Sequence, residues 1–277
     1  MNDLFEIETK NINVIQLDPK RIRVEQFTSG ELQKIQPKIS KAVWRPAPGR
    51  KLGFLVFHGN DLLGAAFLAS PVINLGARDE ALDLPKNSSE KGKELRHYAD
   101  LSVCVATQPF GWYWNGGKLI ALIATTLGDF WFERYGDELK GIITTSLWGK
   151  GSQYNRVYKF LGYTKGFGHE HISEDRYQEM MNWLRKNNIE IPSSRFGAGS
   201  NPRMRRIIAY KKASGEKSLN LVHGNKRGIY YHVAQNPENR QQVIDFWYER
   251  WGKPRFDRTK DLDAPYTSGL ELKENGQ

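Results

Sequence analysis

At 277 residues, with 39% apolar, 26% charged and 12% aromatic side chains, the chain has the composition of a globular protein larger than one average domain. No run of eighteen apolar residues argues for a membrane span. The opening MNDLFEIETK lacks the basic start and apolar stretch of a secretory signal, so the expected location is the cytoplasm, that of the host if the source is viral. The net charge of +10 is confined to residues 195–260, which hold fifteen Lys and Arg against five Asp and Glu. A basic charge placed in one aromatic-rich segment favours a polyanionic partner, with nucleic acid foremost, over a surface made basic for solubility; DNA is the partner expected.

In chain order, residues 29–42 read as a short helix capped by Ser29 and stopped by Pro46 and Pro48. Residues 51–69 alternate around Gly59-Asn60-Asp61 and predict an antiparallel hairpin. A strand or bend is expected at 72–78 and a polar surface loop at 86–93. A β-branched strand follows at 101–106, then an aromatic loop at 107–115. Gly116-Gly117 open a helix over 118–135. A strand at 141–147, a glycine loop at 148–151 and a helix from Ser152 to a C-terminal stop at Gly162 come next. Strand, helix, strand, helix in this order implies parallel strands joined by a crossover helix. Beyond it the expectation is a helix at 175–186, a basic strand-like run at 206–211, short strands at 219–222 and 228–234, and a helix at 239–251. The fold class is α+β, a mixed central sheet with flanking helices. Its divisions are an N-terminal segment (1–50), the core (51–190), a basic extension (191–260) and a polar tail (261–277).

Several residue sets carry possible chemistry. Glycines where a strand hands over to a helix let backbone amides and the helix dipole approach a phosphate. Gln108, Gly116, Gly117 and Lys118 are thus candidates for holding a pyrophosphate such as that of coenzyme A, although plain turn chemistry also explains them. The aromatic loop FGWYWN (110–115) can stack on a base or plug the core. Ser146, after Thr144 and Thr145, could touch an acyl group or a base, or end a run of β-propensity. Asp100 is either a general base or an exposed strand-end carboxylate. Arg203, Arg205, Arg206, Lys211 and Lys212 could contact phosphates, with Arg250, Lys253 and Arg255 extending that surface. His169 and His171 lack an evident third ligand, so no metal is expected. Cys104, the single cysteine, is expected to be buried and inert.

The stretch LGYTKGFG (161–168) fits a Leu-Gly-x-Thr-x-Gly-x-Gly pattern and resembles the Druantia A protein family of phage-defence systems. Arg78-Asp79 after the hairpin and Gln108-Pro109 before the crossover helix match the same family. Tyr154 stands ahead of the glycine motif with one residue fewer between. Tyr158-Lys159-Phe160-Leu161-Gly162 resembles the Tyr-x-x-x-Gly element of GNAT (acyltransferase-type) enzymes, and the phage Mu Mom DNA-modification proteins look like a more distant relative. The likeness covers residues 52–168. It implies a GNAT-like core using acetyl-CoA or another acyl donor, with Tyr154 or Tyr158 carrying a proton. The implied activity is transfer of a small group to a DNA base. A non-catalytic DNA-binding component of a defence or counter-defence system, or a conventional N-acetyltransferase, are the alternatives. The sequence leaves the oligomeric state open.

Overall fold

The computed structural model describes residues 17–28, 31, 35, 39, 49–146, 152–165, 172–194, 202–219, 221 and 226–265. One seven-stranded mixed sheet organises them. Its strands are β1 (Ile22–Phe27), β2 (Lys51–His58), β3 (Asp61–Ala69), β4 (Tyr98–Ala106), β5 (Gly141–Ser146), β6 (Lys159–Tyr163) and β7 (Gly228–Val233), in the order β1-β2-β3-β4-β5-β7-β6. The β2–β3 hairpin forms as expected, His58 pairing with Asp61 around the turn. Only β4 and β5 run parallel. The sheet draws β1 from the first fifty residues and β7 from the basic segment, so both are built into the same sheet as the central strands.

The helices are α1 (Gly76–Ala81), α2 (Ser88–Glu94), α3 (Phe110–Trp114), α4 (Gly116–Ala124), α5 (Gly128–Tyr135), α6 (Glu174–Lys186), α7 (Pro202–Ser214), α8 (Arg240–Trp247) and α9 (Lys253–Thr259). From Leu119 to Ala124, every residue of α4 is buried, as befits a helix enclosed on all sides. It lies between β3 and β4 on one side and α8 on the other. Leu119, Ile120, Ile123, Trp131 and Trp247 anchor the main core there. On the opposite face Ile35 and Ile39, helical residues four apart, cover Leu55, Phe57 and Phe67. A third cluster joins α6 to α7 through Tyr177, Met180, Leu184, Met204, Ile207 and Tyr210.

Several local expectations are corrected. Residues 152–158 make turns, and β6 stands where the pattern predicts the end of a helix. The four-residue spacing of Tyr154 and Tyr158 mimicked a helix, but β7 offers 159–163 an open edge to pair with. Gly162 is not a helix stop; it sits in that strand at φ 142, beside the register shift opposite Ile229, a conformation L side chains rarely adopt. The basic run 206–211 lies inside α7 rather than in a strand, because Met204, Ile207 and Tyr210 recur every three residues toward α6. The polar 86–93 loop contains α2, whose N-cap Asn87 accepts from the Ser89 and Glu90 amides. The strand or bend expected at 72–78 is a bend at Ile73 followed by α1, to which Arg78 belongs. The 118–135 helix is broken at Thr125 and Thr126, whose hydroxyls donate to the Leu122 and Ile123 carbonyls. The aromatic loop carries the one-and-a-half turns of α3, and the last helix splits into α8, a π-helical turn (Tyr248–Gly252) and α9. Leu219 and Leu221 are not in a strand. The expected loop at 148–151, the end of the glycine motif at 166–168 and His169-Glu170-His171 lie outside the described residues.

Candidate functional site

The parallel pairing of β4 and β5 covers only Tyr98–Gly141, Ala99–Ile142 and Asp100–Ile143, after which the strands part. Thr144 bridges the first step of the gap by donating to the Leu101 carbonyl at 2.9 Å. Further along, the Gln153 amide donates to the Cys104 carbonyl at 2.8 Å, satisfying a strand acceptor that β5 no longer reaches. A cleft of about 300 Å³ opens beside it, lined among others by Cys104, Gln108, Asn115, Gly117, Lys118 and Gln153. Three of the four residues expected to hold a pyrophosphate therefore meet. The fourth, Gly116, is buried against the Phe110 ring.

Each lining group has a local cause. Asn115 adopts a left-handed conformation (φ 53, ψ 40) that turns the chain from α3 into α4 and places the start of α4 at the cleft. A Cβ on Gly117 would lie 2.1 Å from the Gln153 Oε1, so a side chain there would displace the Gln153 amide from its present place. Gln108 folds back, its Oε1 accepting from the Trp112 amide at 3.0 Å. Lys118 donates to the Gln153 carbonyl at 3.0 Å and the Asn155 carbonyl at 2.6 Å, which leaves the third of its ammonium donors for a ligand. Burial, followed by the neighbouring Arg156 charge, brings its pKa down to about 8.

None of the remaining expected site residues lines the cleft. Tyr154 and Tyr158 are buried in the main core, and burial first, then the neighbouring Cys104, raises both phenol pKa values. Tyr158 donates to the Ala121 carbonyl at 2.8 Å. Ser146 is buried at the end of β5. Burial pushes the Cys104 thiol up to about 12, which keeps it protonated and unreactive. Asp100 lies inside β4, not ahead of it, and is partly buried rather than exposed. Its neighbours Ala99 and Leu101 belong to the α4-side core, so strand alternation sends Asp100 to the opposite face, away from the cleft. Burial raises its carboxyl to about 7, against the pull of Arg78.

Arg78 is fully buried, donates to the Val72 and Ile73 carbonyls and pairs with Asp79. Lys91 closes the network on Asp79 and Asn74. Burial alone would raise the Asp79 carboxyl, but hydrogen bonds from Lys91 and Arg78 hold it below its ordinary value. On α7, Arg203 pairs with Glu174 and donates to the Ile172 carbonyl at 3.1 Å. Arg205 reaches the Ser193 carbonyl at 2.9 Å, Arg206 the Pro192 carbonyl at 3.0 Å and the Tyr177 hydroxyl at 3.2 Å, and Lys211 the Leu219 carbonyl at 2.5 Å. Lys212 is exposed. Sequence reasoning missed Gln153 and Arg156, which belong to no motif; Arg156 betrays itself only through its positive φ of 66 in an exposed turn. Among the described residues no helix is long and apolar enough to cross a membrane.

Fold and cleft together define a mixed-sheet α+β protein with a cationic cleft at a helix start. The chain belongs to the Druantia protein DruA family, whose model matches residues 6–242. A curated relative, the Druantia protein DruA of Escherichia coli (strain UMEA 4076-1), is 30% identical over 240 residues. That match takes in 78% of this chain and 57% of the relative, so the chain spans little more than half of the relative's length. No solved structure matches the chain.

Proposed function

We propose that this chain acts in phage defence as a nucleic-acid-directed protein whose cleft beside β4 holds a phosphate-bearing ligand. The convergence of Gln108, Gly117 and Lys118 at the start of α4, with Arg156 close by, carries the reading. In its enzymatic form the cleft holds the pyrophosphate of acetyl-CoA or another acyl donor, in a GNAT-like core that modifies a DNA base. Support for that form comes from two parallel strands that part in front of a helix start. The target base would have to leave its stack to be reached. Tyr154, beside the Cys104 thiol that lines the cleft, is the better placed of the two tyrosines to pass a proton toward it.

A second reading is a DNA-binding defence component without catalysis of its own. The burial of Tyr154 and Tyr158, and the bond that holds the Tyr158 hydroxyl on Ala121, favour it.

Calorimetry with acetyl-CoA, with and without an oligonucleotide, tests the cleft. The expected result is binding that Lys118→Met weakens by about tenfold, the worth of one charge-assisted hydrogen bond. Mass spectrometry of nucleosides from cells expressing the chain separates the two forms. An altered nucleoside that disappears in Tyr154→Phe supports transfer, and unchanged nucleosides with retained phage protection support binding alone.

A further inference from the structure

A second groove lies one helical turn along α4 from the cleft. Leu122, four residues on from Lys118, forms its floor, and the groove encloses about 260 Å³. Arg156, Phe246 and Trp251 line it, together with the amide side chains of Gln235, Asn239 and Gln242. Phe246 is 55% exposed although it is a large apolar ring, and it meets Trp251 edge to face at 5.3 Å. Trp251 sits in the π-helical turn, an irregularity that often marks a functional position. The Lys118 ammonium lies 5.5 Å from the Trp251 ring, so the two cavities are neighbours across that contact.

The polar groups of the groove are what set its ligand. Among the described residues no hydrogen bond engages the side chains of Arg156, Gln235, Asn239 or Gln242. Three amides offer both donors and acceptors to the edge of a flat heterocycle, while the exposed rings offer it a face. Arg156, with Lys118 behind it, offers positive charge to a phosphate alongside. An aliphatic ligand would leave the amides and the guanidinium unpaired, and an acidic peptide would have no use for the ring faces. The volume suits a single base and falls below the ~300–1,000 Å³ of clefts that hold drug-sized molecules.

We propose that this groove takes one unpaired base of a single-stranded nucleic acid, with the adjoining phosphate on Arg156. The proposal rests on the nucleic-acid reading above and specifies which form of nucleic acid is held. Bases within a duplex are stacked and cannot enter such a groove, so a preference for single strands follows.

Fluorescence anisotropy with a labelled 12-nucleotide single strand and a duplex of the same sequence, using the full chain, tests it. The parent should prefer the single strand. Phe246→Ala should weaken single-strand binding about tenfold, the value of one lost base stack, and leave duplex binding unchanged. Gln242→Ala, another exposed position, should reduce the same preference. Unfolding curves that overlay the parent's confirm that both variants are folded. Equal single-strand affinity for the parent and both variants overturns the groove while leaving the nucleic-acid reading standing. So does displacement of the strand by adenosine monophosphate as readily as by unlabelled strand, which assigns the groove to a free nucleotide. Absence of binding to either probe at low salt removes the groove and the nucleic-acid reading together.

Discussion

On α7, Arg203, Arg205 and Arg206 donate to the carbonyls of Ile172, Ser193 and Pro192, whereas Arg156, beside the cleft, makes no hydrogen bond among the described residues. Only the α7 group belongs to the segment that carries the net positive charge; Arg156 lies in the part of the chain where charges balance. The α7 arginines tie a helix to the segments beside it, and a guanidinium with its donors engaged in this way must break those bonds before it can grip a phosphate. Arg156 carries no such cost, and Lys118 keeps one donor open. Where a charge sits in the sequence says how much potential the surface has. Which hydrogen bonds already hold it says whether a ligand can use it.

The largest expected effect marks the extreme of the engaged class. Arg78→Leu takes the buried guanidinium from Asp79, leaving it Lys91 as its remaining ion-pair partner, and should cost about 3 kcal/mol or more in denaturant unfolding. Arg206→Ala should cost about 2 kcal/mol by the same measurement, with little change in DNA affinity. If stability holds instead and DNA binding falls equally for all sequences, α7 is a phosphate-gripping helix and the contrast with Arg156 collapses. The pH dependence of the cleft sharpens the other side. Lys118 loses its proton near pH 8, so anion affinity should fall as pH rises through that value, and Lys118→Arg should move the loss well upward. Between about pH 8 and 10 the unfolded chain holds the proton that folded Lys118 has released, so stability itself rises slightly with pH there. The smallest effect belongs to Asp100. Its folded carboxyl keeps a proton up to about pH 7, while the unfolded one releases it near 4, so stability falls as pH rises across that window. Asp100→Asn should flatten that slope, modestly because the group is partly exposed.

The two hairpin strands, β4, β5 and β7 are legible in the sequence, whereas β1 has no counterpart among the expected elements. The hairpin, the strand starting near 101, the helix start at Gly116 and the parallel crossover all follow from local pattern and turn residues. The segment 152–163 was not legible, because Tyr154, Tyr158 and Gly162 repeat every four residues whether in a helix or, as here, in turns leading to a strand. What decides between them is the free edge of β7, far away in sequence. α2 was obscured by its polar composition, although Asn87 followed by Glu90 is a capping signal. In the cleft, the meeting of Gln108, Gly117 and Lys118 is readable because glycines where a strand hands over to a helix form a local pattern. Gln153 was not, since its place depends on where β4 and β5 part. Arg78-Asp79 and the LGYTKGFG stretch point to the family whose model matches the chain, and Arg78 is fully buried.

The position of β7 also sets a timetable. A ribosome releases β5 and β6 long before Gly228, yet β6 finds its partner only in β7, and β5, paired with β4 on one side, keeps its other edge open until β7 arrives between them. The turns carrying Gln153, Tyr154 and Arg156 lead directly into β6, so they settle only when that late strand arrives. Such non-local pairing slows folding, and until it is complete the nascent chain shows an unpaired strand edge to its surroundings. The cleft and the groove beside it are therefore among the last features of the protein to exist.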